Sequence, residues 1–265
     1  MRRAAGTAAV FAATAVAFAF LLLPIVAVFA RVPPGRLVDQ LSSPVVTDAL
    51  VLSLKTSAIA QALILLFGTP TAYVLATRRF RGRALAVTLV ELPLVLPPAV
   101  AGIGLIAAFG RFGLLGGTLD AFGVRLGLTQ AAVVIAVAYV ASPLYVRQAI
   151  AAFEAVDQVL VAASRTLGAG RGRTFFRVVL PLARGGLIAG LALSFARGLG
   201  EFGATIMFAG NFEGRTQTMP LAVYMALNGD LNAALVLSIV LVIISFIVIV
   251  AVKMLTRRNL IDDQD

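Results

Sequence analysis

The segment SFARGLGEFGATIMFAGN, residues 194–211, sets Arg197 and Glu201 four residues apart inside an apolar run. On a helix that spacing brings the guanidinium and the carboxylate to one face, close enough to pair. Charged groups in such surroundings mark a pathway or an internal ion pair. Arg197 could offer positive potential to a permeating anion, the pair could neutralise itself as a clasp or gate latch, or both could meet lipid headgroups. Glu201 repels a divalent anion at short range, which favours the clasp. Gly198, Gly200 and Gly203 thin the backbone around the pair, so another helix or an ion can approach closely. Arg197, Gly200, Glu201, Gly203 and Thr205 are the candidate gate residues of this segment.

Little other chemistry is available. The chain has no Cys and no His, which removes disulfides, thiolate metal sites, imidazole bases and the usual zinc ligands. No stretch follows G-x-x-x-x-G-K-[ST], and the Gly-rich pieces at 168–170 and 198–203 lack the lysine that reaches a phosphate. Ser194 has no base near it and reads as a helix-packing hydroxyl rather than a nucleophile. The expectation is a chain with no catalytic residue, no metal site and no cofactor of its own.

The elements that must position these residues follow from composition. Of the 265 residues, 60% are hydrophobic and 13% charged. Soluble domains are nearer half apolar and a quarter charged, so this balance places the chain in a membrane. The net charge of +10 does not point to nucleic acid, because the arginines sit in short clusters between apolar runs. Six stretches, at about 8–30, 49–76, 86–109, 129–150, 182–209 and 231–254, approach or exceed the roughly 20 residues that cross a hydrocarbon core. Each must be helical to satisfy its backbone in lipid. The expected fold class is an all-α membrane protein of six transmembrane helices in one permease-like domain, 1–265. Fifteen Lys and Arg fall on the N-terminal side and six on the other, so both termini are expected in the cytoplasm. The run Ala4–Ala30 has the basic start of a signal peptide, but it is too long for one and lacks an A-x-A-like site, so it reads as a retained first helix.

The third stretch carries Pro93, Pro97 and Pro98, then Gly102 and Gly104. Prolines at that depth are tolerated where protein or water satisfies the freed carbonyls. Either the helix lines a pore opposite the fifth, with Pro97, Pro98 and Gly102 at the gate, or it is a kinked packing helix. Glu91 is expected near the cytoplasmic end, within reach of Arg83.

The longest inner excursion runs from Gln148 to Pro181. Ile150, Phe153, Val156, Leu160, Ala163 and Leu167 recur at helical spacing, which predicts a short amphipathic helix ending at Gly168 or Gly170. Ala162 and Ala163 give a small face for close approach, with Arg165 and Leu167 beside it. Gly168 allows a left-handed turn, and Pro181 suits the first turn of the fifth span. The alternative is a generic basic loop whose arginines only anchor it.

The spacing G-x9-V-x-L-P from Gly168 to Pro181 is similar to the loop signature of bacterial ATP-binding-cassette (ABC) import permeases, which opens Glu-Ala-Ala, continues to Gly and closes Ile-x-Leu-Pro. Here Ala162, Ala163 and Ser164 occupy the opening triplet, so its acidic group is missing. LGEFGATIMFAGN with GRTQTMPLAVYMAL, GTPTAYVLATRRFRGR and LPLVLPPAVAGIGL resemble the corresponding segments of molybdate/tungstate ABC permeases, from about Leu52 to Met254. The resemblance implies a type I ABC importer permease fold in the cell inner or plasma membrane. It implies a cytoplasmic coupling helix between the fourth and fifth helices, within 151–181, that docks a P-loop ATPase. The implied partners are two ATPase copies holding ATP and Mg, a second copy of this chain, membrane lipid, and a periplasmic or lipid-anchored oxyanion-binding protein. That protein would meet the outer loops at 31–48, 111–128 and 211–230, where Arg36, Arg111 and Arg215 could face acidic patches.

Two other functions are weighed. Sulfate permeases share the GEFG fragment, so import of sulfate or thiosulfate is the alternative cargo. An ATP-independent secondary transporter is the alternative class, but the chain lacks the paired broken segments in matching halves that such carriers show.

Overall fold

The computed structural model describes residues 2–33, 35 and 43–261. Arg36 and the end of the tail, 262–265, lie outside the described residues. All regular structure among the described residues is helical, as expected. In chain order the helices are α1 (Arg2–Arg31), α2 (Pro44–Thr77), α3 (Arg83–Val95), α4 (Pro98–Phe109), α5 (Gly116–Ala121), α6 (Gln130–Glu154), α7 (Gln158–Thr166), α8 (Arg171–Leu199), α9 (Gly203–Ala209), α10 (Met219–Leu227) and α11 (Leu231–Ile261). Five of them, α1, α2, α6, α8 and α11, are long and apolar enough to cross a bilayer, and α3 with α4 makes a sixth if the bent pair is one span.

Proline shapes three of the spans. In α2 and α8 a single π turn, Ile64–Gly68 and Phe175–Val179, immediately precedes Thr69-Pro70 and Leu180-Pro181. A proline removes one donor and crowds the carbonyl four residues back, here Leu66 and Arg177, and the wider winding at those carbonyls accommodates both effects without ending the helix. Pro181 therefore does not open the fifth span. The helix already begins at Arg171, and Pro181 lies well inside it.

The third stretch is not one helix over 86–109. Leu96, held extended at ψ 133° by the following proline, breaks it, Pro98 opens α4, and the two pieces meet at 114°. Pro93 stays inside α3. The fifth stretch is likewise not one helix over 182–209, because α8 stops at Leu199 and α9 restarts at Gly203.

Helix α6 is the centre of the bundle, packed by α2, α3, α8 and α9. One buried cluster joins Ala72, Tyr145, Phe153, Val179 and Leu187, and a second joins Ala60, Leu105, Val133, Val137 and Phe208. α1 leans on α11 through Val28 and Val32 against Val236 and Ile239, while Phe11, Phe18 and Phe20 stay exposed. An apolar surface of that kind is satisfied by lipid.

Candidate gate and coupling site

The break after α8 positions the charged pair. Arg197 lies in the last turn of α8, and Glu201 sits in the non-helical link before α9 rather than on a shared helix face. The link still lets them meet, with Arg197 Nη1 2.7 Å from Glu201 Oε2. The other carboxylate oxygen, Oε1, accepts from the Ala204 N–H at 2.8 Å, one of the donors that the first turn of α9 leaves without a helical partner. One buried carboxylate thus neutralises a guanidinium and holds a helix start. Glu201 is only 1% exposed in its side chain, whereas Arg197 keeps 32%. Thr205 lies one turn further on, fully buried, with Oγ1 unpartnered among the described residues.

The third segment reaches this site directly. A Cβ on Gly203 would fall 2.5 Å from Pro98 Cβ, and one on Gly102 would fall 2.6 Å from Met207 Cβ and 3.1 Å from the Ala204 backbone. α4 and α9 are in backbone-to-backbone contact, so α4 lies against the broken fifth segment instead of facing it across a space. Pro97 forms the bend, and its carbonyl accepts from Ala101 N at 3.0 Å. Gly200 meets only carbonyls of its own helix, at 3.9 Å or more, so its role is in the turn.

A polar seam beside the pair was not legible in the sequence. Ser194 Oγ donates to Gln61 Oε1 at 2.7 Å, both groups buried, which ties α8 to α2, while Gln61 Nε2 is left unpartnered among the described residues. Gly198 lets this seam close, since a Cβ there would lie 2.8 Å from Val137 Cγ1 of α6. The lone glutamine inside the second apolar run was the available signal. Ser53 Oγ similarly accepts from the Met219 N–H at 2.7 Å, at the start of α10.

The loop after α6 differs in detail from a single amphipathic helix. Ile150 and Phe153 belong to α6, which runs to Glu154, and α7 starts afresh with Asp157 Oδ1 accepting from Val159 N at 2.8 Å. Ile150, Phe153 and Val156 are buried, whereas Val159, Leu160 and Leu167 are exposed along with Ala162, Ala163 and Arg165. The apolar stripe is shared between the core and an outward face. Gly168 ends α7 at φ +85°, with nothing within 4 Å of a would-be Cβ, so conformation rather than space requires glycine there. Ser164 and Thr174 hydroxyls, 3.1 Å apart, fasten α7 to the first turn of α8. Tyr73, Phe153 and Phe175 pack below them with ring centroids 4.8–6.2 Å apart.

The loop's neighbours are pinned by ion pairs. Arg83 pairs with Glu154 and donates through Nε to the Leu75 carbonyl at 2.6 Å. Glu91 therefore meets Arg147, at 3.6 Å, and not Arg83. On the opposite side Arg125 pairs with Asp120 at 2.9 Å, and Arg111 stacks over the Phe112 ring.

Known proteins resemble this chain in sequence and in fold. The chain is 43% identical over 235 residues to the molybdenum transport system permease protein ModB of Mycobacterium tuberculosis, covering 88% of each chain. It is 44% identical over 207 residues to ModB of Escherichia coli, covering 76% of this chain and 90% of that one. Among solved structures, the bacterial alginate ABC transporter in complex with an alginate pentasaccharide-bound periplasmic protein superposes with TM-score 0.75 at 17% identity, covering 97% of this chain and 96% of its counterpart, which shows the ABC importer permease fold. Residues 64–260 match the model of a family of multi-pass membrane subunits, and the chain belongs to that family, the binding-protein-dependent transport system inner membrane component.

Proposed function

We propose that the chain is the membrane subunit of an ABC importer that moves molybdate or tungstate inward, driven by ATP hydrolysis on a separate ATPase. The observation that carries the mechanism is helix α8, which runs unbroken from the base of the coupling loop to the Arg197–Glu201 pair. The exposed face of α7, small at Ala162 and Ala163 and apolar at Val159, Leu160 and Leu167, is the surface an ATPase would grip. Its displacement passes through the Ser164–Thr174 fastening into α8 and arrives at Gly200–Gly203, where α4 rests on α9. The gate residues are Pro97, Pro98, Gly102, Arg197, Gly200, Glu201, Gly203 and Thr205, and the coupling residues are Ala162, Ala163, Arg165, Leu167, Gly168 and Pro181.

The charged pair serves as a clasp in this reading. Arg197 attracts a dianion, and the carboxylate beside it keeps that attraction too weak to trap one. Selection then falls to an oxyanion-binding protein outside. The chain works with a second copy of itself and two ATPases that bind ATP and Mg, both termini lie in the cytoplasm, and no residue here performs catalysis. The cargo follows from relatives at 43% and 44% identity named for molybdenum transport.

Binding-protein-dependent uptake of labelled molybdate into proteoliposomes tests the reading. Tungstate should compete at similar concentration, and sulfate should not compete even in large excess. Equal competition by sulfate would overturn the cargo, and uptake without an ATPase would overturn the importer.

A further inference from the structure

Below α7 a cavity of about 510 Å³ opens between the last turn of α2, the end of α6 and the first turns of α8. Tyr73, Phe153 and Phe175 form its apolar wall, and Arg78, Arg165 and Arg171 stand around it. No acidic residue lines it. None of these three arginines makes an ion pair among the described residues, in contrast to Arg83, Arg125, Arg147 and Arg197, each of which has a carboxylate.

Arg78, Arg165 and Arg171, all exposed and lining one recess, give it a positive potential that no carboxylate in the lining offsets, so an anion placed there is stabilised. Planar guanidinium forks match the oxygens of a phosphate-type group better than a single carboxylate. The cavity lies at the ends of α2 and α6, two helices long and apolar enough to cross a bilayer, on the side to which the arginine clusters assign the cytoplasm. A bare tetrahedral oxyanion would leave the part-exposed Tyr73 and Phe175 rings uncovered. An oxyanion attached to a larger, partly apolar body covers them.

We propose that this cavity binds the phosphate of an anionic phospholipid, with Arg78, Arg165 and Arg171 on the phosphate oxygens and the aromatic wall against the glycerol region. A free oxyanion from solution offers the same chemistry to the same arginines and is the second possible source. Arg165 belongs to α7 and Arg171 starts α8, so an occupant bridges the gripped helix and the helix that reaches the gate. The inference needs the membrane placement of α2 and α6 but not the choice of cargo, so failure of molybdate uptake leaves it standing.

Native mass spectrometry of the full chain in mild detergent, titrated with short-chain phosphatidylglycerol, phosphatidylcholine or inorganic phosphate, tests the site. One phosphatidylglycerol should be retained in preference to phosphatidylcholine. Each of Arg78→Gln, Arg165→Gln and Arg171→Gln should weaken retention about fivefold, the triple variant about a hundredfold, and Arg173→Gln, off the cavity wall, hardly at all. Arg165→Lys, which keeps the charge but loses the planar fork, should recover only part of the binding that Arg165→Gln loses, and size-exclusion profiles identify any variant that fails to fold. Inorganic phosphate binding with the same arginine dependence and displacing the lipid would support the site with a free oxyanion as its source. Unchanged retention in a folded triple variant, or equal retention of the two lipids, would overturn the proposal. So would loss of a co-purifying ATPase from the triple variant with lipid retention unchanged, since the recess would then be a protein socket.

Discussion

Glu201 carries two obligations at once, the charge of Arg197 and the Ala204 N–H, and a single substitution separates them. Glu201→Gln keeps a carbonyl for the Ala204 N–H but leaves the guanidinium uncompensated. Removing one partner of a fully buried pair costs about 3–5 kcal/mol, and the remaining exposure of Arg197 brings the expected cost toward the lower end. Transport by Glu201→Gln is expected to fall at least tenfold with the amount of inserted protein unchanged, measured as initial uptake rate per permease. Wild-type uptake together with wild-type basal ATPase activity would remove both the latch and the substrate-contact roles. The type and spacing of this pair were readable, since four residues span one turn. Its second bond was not, because it depends on α8 ending at Leu199 and a new helix needing a donor satisfied at Ala204. Gln61 with Ser194 was equally hidden, as two polar residues on distant helices meet only once the bundle packs.

Glycine acts at the level of elements in two different ways. Gly203 and Gly102 are required by space, so Gly203→Ala or Gly102→Ala must push α4 off α9 at a cost of about 1–3 kcal/mol each. Both variants are expected to lower the thermal unfolding midpoint in detergent, whereas Gly104→Ala, with nothing within 4 Å, is expected to leave it unchanged or raise it. A lowered midpoint for Gly104→Ala equal to the other two would contradict close packing as the cause. Gly168 is required by conformation: a Cβ at φ +85° costs about 1–2 kcal/mol and loosens the end of α7. Gly168→Trp is expected to insert normally and yet lose stimulated ATPase activity and uptake in liposomes; wild-type rates for both would rule out docking through this loop. The turn glycine and the helix stripe were visible in the sequence, but the division of that stripe between α6 and α7 was not. A periodicity of 3.6 continues across a three-residue link without announcing it.

At the scale of the molecule, the absence of cysteine makes orientation directly measurable. Single replacements Gly117→Cys and Gly172→Cys, both with open surroundings, are expected to react with a membrane-impermeant maleimide from opposite sides, the first from outside intact cells and the second only after permeabilisation. The reverse pattern would invert the topology and place α7 away from any cytoplasmic ATPase. Composition alone determined that this chain is helical and crosses a membrane, because lipid offers no hydrogen bonds and fixes the length of each apolar run. The order of the residues also placed the charged pair, the loop after α6 and the prolines along the chain. Tertiary structure decided what each of them does. Pro70 and Pro181 are absorbed by π turns, whereas Pro97 and Pro98 bend the chain by 114°. The fifth segment breaks at Gly200–Phe202, where Glu201 can stabilise a new helix start and Gly203 can touch Pro98. Those outcomes depend on which neighbour lies against each residue, and local sequence does not contain that information.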